Sequence, residues 1–132
     1  MGREIDELKV LVVDDNPQAR TMIRMMCKEL GISQVFTAND GKEALDFLGS
    51  CEDLVDVVIC DWKMPRMTGI ELLQQVRTVD PDLPFLMLTG LANADSVIAA
   101  RESGVSAYLR KPFSAEQLEQ KIRTLAASMA PA

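Results

Sequence analysis

The chain has 132 residues, 48% hydrophobic and 26% charged, a size and composition that suit one globular domain with a single core. Its net charge of -6, without a clustered basic face, argues against a nucleic-acid-binding protein. The absence of histidine excludes His-based metal sites, His-assisted nucleophiles and a phosphohistidine within these residues. No apolar run approaches the roughly 20 residues that span a bilayer, and the charged N-terminus is unlike a signal peptide, so we expect a cytoplasmic protein.

Five strand-like segments alternate with helix-like segments along the chain. The predicted strands are KVLVV (9–13), QVFTA (34–38), VDVVIC (55–60), PFLML (84–88) and AYL (107–109). The first, third and fourth are continuously apolar, as expected of central strands covered on both faces, whereas the second and fifth suit the edges of a sheet. The short connections predict parallel strands joined by right-handed crossovers, and therefore a three-layer α/β fold.

Helix predictions rest on start signals and apolar stripes. Asn16 before Pro17 predicts an N-cap and a first-turn proline. The apolar stripe of this helix is predicted to contain Ala19, Met22, Ile23, Met26 and Leu30. Capping pairs predict three further helix starts, at Asp40 with Glu43, Thr68 with Glu71, and Ser114 with Gln117. The segment 93–103 has the weakest pattern, because Val97 and Ile98 are its only large apolar residues, so we expect it to pack loosely.

Polar side chains stand at the ends of four predicted strands. Asp14 and Asp15 follow the first strand, Asp61 the third and Lys111 the fifth, while Thr89 ends the fourth. Each has an ordinary explanation when taken alone, as a turn residue, a helix cap or a solvated lysine. Ligands of open α/β sheets bind outside the carboxyl ends of the strands. The shared position of these residues therefore favours a functional site.

Three carboxylates at one sheet edge would repel each other and raise one another's pKa. A divalent cation would offset this charge, and oxygen ligands without histidine favour Mg²⁺ over softer metals. An aspartate beside such an ion can act as a nucleophile and form an aspartyl phosphate. The metal, a lysine and a hydroxyl would then hold the oxygens of the transferred group.

These motifs resemble those of the receiver domains of two-component response regulators, and within that family the stand-alone receivers of the chemotaxis CheY type. The resemblance covers about residues 8–127 and rests on VVDDNPQAR, CDWKMPRMTGIELL, LMLTG and YLRKPF. It implies a doubly wound five-stranded parallel sheet in the order 2-1-3-4-5, with five helices. We expect a single receiver domain over residues 1–132.

The resemblance also implies a phosphoacceptor and a set of metal ligands. Asp61 would accept the phosphoryl group. Asp15, Asp61 and the backbone carbonyl of Lys63 would bind Mg²⁺ directly, and Asp14 would act mostly through water.

Four further residues complete the implied site and switch. Lys111 would pair with the phosphoryl group, with a cis peptide bond to Pro112. Thr89 would move towards the phosphoryl oxygen, and Tyr108 would rotate inward after it.

The implied function is a phosphorylation-activated switch that takes its phosphoryl group from a separate histidine kinase. Its output would be the binding of another protein, such as a flagellar motor switch or a phosphotransfer protein. We expect a monomer that binds neither nucleic acid nor membrane. It would catalyse its own phosphorylation and dephosphorylation without being a turnover enzyme.

Four alternatives compete with this function. The first is a receiver that serves as a phosphate shuttle or sink in a phosphorelay. The second is a flavodoxin-like nucleotide or flavin binder, although the anionic loop DDNPQAR would repel phosphate in the absence of metal. The third is a haloacid-dehalogenase-type phosphatase, which requires Asp-x-Asp where this chain has Asp14 and Asn16. The fourth is a receiver that has lost phosphorylation, which the presence of the full set of site residues disfavours.

Overall fold

The computed structural model describes residues 4–50, 55–90 and 94–129, with residues 94–97 described by their backbone alone. After a short 3₁₀ helix, Ile5–Glu7, the elements are β1 (Lys9–Val13), α1 (Pro17–Glu29), β2 (Gln34–Ala38), α2 (Gly41–Ser50), β3 (Val57–Asp61), α3 (Gly69–Val79), β4 (Phe85–Thr89), α4 (Ala94–Glu102), β5 (Ala107–Arg110) and α5 (Ala115–Ala127). The five strands are parallel in the order β2-β1-β3-β4-β5. The predicted fold class and strand order are confirmed.

The central strands carry the most apolar sequences, as predicted. β3 and β4 are buried at every position, whereas the edge strands β2 and β5 are partly exposed. The predicted bounds of β3 and β4 are wrong by one or two residues, because both strands continue through the polar residue at their carboxyl end. Asp61 is paired with Leu88, and Thr89 with Arg110. The sheet ladder therefore fixes the backbone of Asp61 and Thr89.

An apolar cluster covers each face of the sheet. On one face Ile23 of α1 and Leu118 of α5 pack against buried residues of β1, β3 and β4. On the other face Leu72 of α3 and Ala44 of α2 pack against Phe85 and its neighbours. Fully burying an aliphatic or phenylalanine side chain contributes about 1.5–3 kcal/mol. These clusters hold the three layers together.

Most of the predicted helix starts are confirmed at the level of hydrogen bonds. Asn16 Oδ1 accepts from the N–H groups of Gln18 and Ala19. Reciprocal capping boxes form between Thr68 and Glu71 and between Ser114 and Gln117. At α2 the Asp40 carboxylate accepts from the Glu43 N–H, but the Glu43 carboxylate accepts from the Asn39 N–H instead of from Asp40.

The predicted apolar stripe of α1 is wrong at Met22, whose exposed fraction is 48%. Ile23 and Cys27 are the buried residues of this helix, with Met26 packed beside them. Because residues i and i+4 lie on one face of a helix, Ile23 and Cys27 define the inward face and Met22 falls at its rim.

The helix α4 has little buried apolar surface among its described side chains. Ala100 is buried, whereas Ile98 is 51% exposed. This agrees with the loose packing predicted for 93–103, although Asn93 and the side chain of Val97 lie outside the described residues. Within the described residues, no helix is both long enough and apolar enough to cross a membrane.

Arg77 joins the end of α3 to two loops at the amino-terminal end of the strands. Its guanidinium donates to the carbonyls of Leu83 at 2.6 Å and Gly104 at 2.9 Å, and to Ser106 Oγ at 3.3 Å. Burial lowers the pKa of Arg77, against the opposing charges of Asp80 and nearby Asp82. We call these contacts the Arg77 latch. The latch secures the loop that precedes β4 and the loop that follows α4.

We expect Arg77→Met to lower the free energy of unfolding by on the order of 2 kcal/mol, because it leaves the partly buried Leu83 carbonyl and the Gly104 carbonyl without their donor. The matched control is Arg24→Met, which removes the same charge from an exposed position of α1 and should cost less than about 0.5 kcal/mol. Urea unfolding followed by circular dichroism measures both. Equal losses in the two variants would contradict the latch.

Candidate functional site

The polar residues at the strand ends come together at one edge of the sheet. One carboxylate oxygen from each of Asp14, Asp15 and Asp61 lies within 4.8 Å of those of the other two. Lys111 Nζ lies 2.6 Å from Asp61 Oδ1, which accepts its hydrogen bond. The Lys111 N–H also donates to the Thr89 carbonyl at 2.8 Å, which ties the start of the last loop to the end of β4. The strand ends thus form a compact acidic pocket with one cation.

The most buried member of the pocket is Asp14, with 1% of its surface exposed. Its Oδ1 accepts from the Asn16 N–H at 2.9 Å, while its buried Oδ2 has no hydrogen-bond partner among the described residues. Burial raises the pKa of Asp14, and the charges of Asp61 and Asp15 add to this effect, against the Asn16 N–H and the Lys111 charge. A buried carboxylate oxygen without a partner is costly unless a cation or a proton satisfies it.

The loop after β3 returns directly against Asp61. The Gly69 N–H donates to the Trp62 carbonyl at 2.8 Å. A Cβ atom at Gly69 would lie 2.6 Å from the Asp61 carbonyl oxygen, so this close approach requires glycine. The start of α3 therefore supports the backbone of Asp61, whose side chain faces the pocket with Lys111.

Two further predicted residues, Lys63 and Tyr108, have positions in the structure but roles that it leaves untested. Lys63 follows Asp61 in the same loop and has an exposed side chain; metal binding by its carbonyl stays a prediction. Tyr108 lies on β5, where it pairs with Met87 of β4. It is half-buried against the apolar cluster that includes residues of α2 and α3. Its rotation also stays a prediction. The Lys111–Pro112 peptide bond is cis, as the resemblance implied.

Sequence reasoning missed Arg20. This half-buried residue donates from Nη1 to the backbone carbonyl of Asp14 at 2.9 Å. Its own N–H donates to the Asn16 carbonyl, so it stands one helical turn beyond the N-cap. A cation one turn into the helix that follows an acidic loop is the sequence signal that could have identified it.

The pocket suits a small, hard divalent cation. Among the residues that the structure describes, it offers three carboxylates, no histidine or cysteine ligand beside them, and a buried oxygen that lacks a partner. Mg²⁺ prefers such oxygen ligands and commonly keeps several waters, which exposed Asp15 would admit. The residues therefore fit the predicted Mg²⁺.

Comparison with known proteins identifies the family. The family model described as "Response regulator receiver domain" matches residues 10–123. The chain is 40% identical over 120 residues to "Chemotaxis protein CheY" of Pseudomonas aeruginosa, covering 89% of this chain and 95% of that protein. It is 37% identical over 117 residues to "Chemotaxis protein CheY-3" of Vibrio cholerae, covering 87% and 88%.

Solved structures agree with this comparison. CheY4 of Vibrio cholerae matches with a TM-score of 0.83 and 34% identity, covering 89% of this chain and 98% of that one. A response regulator receiver domain protein of Clostridium thermocellum matches with a TM-score of 0.84 and 32% identity, covering 90% and 94%. The chain belongs to the response regulator receiver domain family. It is a phosphorylation-activated response regulator of two-component signalling.

We expect Asp14→Asn to stabilise the metal-free protein at pH 7. Because the pKa of Asp14 is raised on folding, its stabilising contribution is present below the unfolded pKa and is lost as the pH rises through the folded pKa. The substitution removes the charge and keeps an acceptor for the Asn16 N–H. The free energy of unfolding at pH 7 should therefore be higher in Asp14→Asn than in the parent chain.

Thermal unfolding in a chelator measures this gain, which should shrink as the pH falls towards about 4. Asp46→Asn, on the exposed face of α2, is the charge-matched control and should change little. A less stable Asp14→Asn protein at pH 7 would contradict the assigned cost of the buried carboxylate.

Proposed function

We propose that this protein accepts a phosphoryl group on Asp61 from a histidine kinase, in a Mg²⁺-dependent reaction, and signals by binding a separate protein. The observation that carries the proposal is the 2.6 Å contact between Lys111 Nζ and Asp61 Oδ1 beside the carboxylates of Asp14 and Asp15. It combines a fixed nucleophile, a cation for the transferred group and ligands for a metal. The donor histidine lies outside these 132 residues, which contain none.

The metal ligands in this proposal are Asp14, Asp15 and Asp61, with the carbonyl of Lys63. Bound Mg²⁺ would supply positive charge that neutralises the phosphoryl oxygens and offsets repulsion between the carboxylates. Asp14 is assigned mainly to water-mediated contact, and Asp15 and Asp61 to direct contact.

The chain's own residues divide the transfer between them. A carboxylate oxygen of Asp61 forms a bond to phosphorus as the bond from phosphorus to the donor nitrogen breaks, and the electron pair of that bond stays on the donor imidazole. The Lys111 ammonium, already at Asp61, pairs with an oxygen of the transferred group. The Thr89 hydroxyl donates a hydrogen bond to another oxygen. The receiver in this way catalyses its own modification and is not a turnover enzyme.

The proposed output begins at Thr89 and reaches α4 and β5. Phosphorylation changes the charge on Asp61 from about one negative unit to about two. Movement of Thr89 towards this charge would bias a pre-existing equilibrium in which Tyr108 turns inward. Because two relatives are named chemotaxis proteins, we favour a flagellar motor switch as the partner, with a phosphotransfer protein as the alternative.

The acceptor assignment predicts the outcome of intact-mass measurement with Mg²⁺ and a small phosphodonor such as acetyl phosphate. The parent chain should gain one phosphoryl group, and Asp61→Asn should gain none at that position. Asp46→Asn should gain one like the parent. Chelation of Mg²⁺ should abolish the gain. Equal labelling of Asp61→Asn and the parent would place the acceptor elsewhere.

The switch assignment predicts that Thr89→Ala separates phosphorylation from its conformational effect. The variant should still bind beryllofluoride at Asp61, but the resulting NMR shift changes at Tyr108 and in α4 should be largely lost. Thr78→Ala, on the exposed face of α3, should keep them. Full shift changes in Thr89→Ala would refute the role of this hydroxyl.

A further inference from the structure

The chain holds the peptide and side chain of Asp14 by three hydrogen bonds. The Asp14 N–H donates to the Ala38 carbonyl of β2 at 3.2 Å. Its carbonyl accepts from Arg20 Nη1 at 2.9 Å, and its Oδ1 accepts from the Asn16 N–H at 2.9 Å. The buried Oδ2 is the polar atom of Asp14 left without a partner in the described part of the chain. The three bonds fix the position of Asp14 and leave its Oδ2 atom available to a bound cation or water.

Of the three donors in these hydrogen bonds, Arg20 is the one that uses its side chain, since the other two bonds are donated by backbone N–H groups. It is half-buried in the second turn of α1, and the start of this helix is set by the Asn16 cap. Its contact is to the neutral Asp14 carbonyl. Arg20 therefore acts on the acidic loop through a hydrogen bond to the backbone.

This bond has a direct consequence for metal geometry. Asp15 and Asn16 are exposed, so between the end of β1 and the start of α1 the loop has little packing of its own. Mg²⁺ requires near-ideal octahedral geometry at short distances, and a small displacement of the loop reduces its affinity. Residues that orient metal ligands from behind commonly contribute ten- to a hundredfold to affinity.

We infer that Arg20 is a positioning residue for the Mg²⁺ site: its bond to the Asp14 carbonyl fixes the acidic loop in the arrangement that binds the ion. This inference rests on the proposed function. It assigns Arg20 no contact with the metal or the phosphoryl group. Loss of Arg20 should weaken Mg²⁺ binding and leave transfer intact once the site is filled.

Isothermal titration of the full chain with MgCl₂ tests this inference. We expect the dissociation constant to rise roughly tenfold in Arg20→Met. Arg20→Lys should recover part of the loss, because its ammonium can donate to the same carbonyl. Arg24→Met removes the same charge from the exposed face of α1 and should bind as the parent does. At saturating Mg²⁺, Arg20→Met should take up one phosphoryl group as the parent does.

Two results would overturn the inference. A dissociation constant for Arg20→Met equal to that of the parent would do so, as would an equal rise in Arg24→Met. A purely structural role would lower the unfolding free energy of the metal-free protein and leave the dissociation constant of the folded fraction unchanged. If Arg20→Met does not fold, the dissociation constants of Arg20→Lys and Arg24→Lys are compared. A higher constant in Arg20→Lys supports the inference, and equal constants overturn it. A parent chain that binds no Mg²⁺ would refute the proposed function itself, whereas normal binding by parent and variant refutes the role of Arg20 alone.

Discussion

Repulsion among three carboxylates within 4.8 Å of one another is the constraint on which the rest of the site depends. The strand order creates it, because β1 and β3 are neighbours and deliver Asp14 and Asp61 side by side. The same order limits it, because β5 ends where Lys111 can reach Asp61 at 2.6 Å. One cation leaves the cluster negative, and burial of Asp14, together with the charges of Asp61 and Asp15, raises the pKa of Asp14. An acidic pocket of this kind is suited to a metal that arrives with positive charge.

The fold separates a fixed part from a part that can shift. β3 and β4 are buried along their whole length, so Asp61 and Thr89 sit on backbone that the sheet and both apolar clusters hold. The helix α4 follows β4 in the chain and exposes Ile98. Its far end is secured through Gly104 by the Arg77 latch. A change at Thr89 would therefore be resisted by the buried strands of the sheet and accommodated more easily by the loosely packed helix α4.

Local signals explain why so much of the fold could be predicted from sequence. Apolar runs identified the strands, and short-range caps such as that of Asn16 identified helix starts. The errors arose where neighbours decide: Asp61 belongs to β3 because Leu88 pairs with it, and Met22 is exposed because Cys27 occupies the inward face. Arg77 was missed because it donates mainly to backbone carbonyls, which every residue has, whereas Arg20 could have been identified from its position one turn into the helix after Asp14 and Asp15.

The residues of the site could be predicted from their charge and position in the sequence. Their roles in the proposed switch could be predicted only from family resemblance. Charge and position at the strand ends were enough to bring Asp14, Asp61 and Lys111 together. The direction of the switch came from family resemblance, since nothing in the composition of β5 tells a half-buried tyrosine from a mobile one. A hydrogen bond at the strand ends connects the acidic pocket with Thr89. The Lys111 N–H donates to the Thr89 carbonyl, so the end of β4 is bonded to the residue whose ammonium contacts Asp61. The acidic pocket and the end of β4 are therefore joined by the backbone of Lys111 as well as by its side chain.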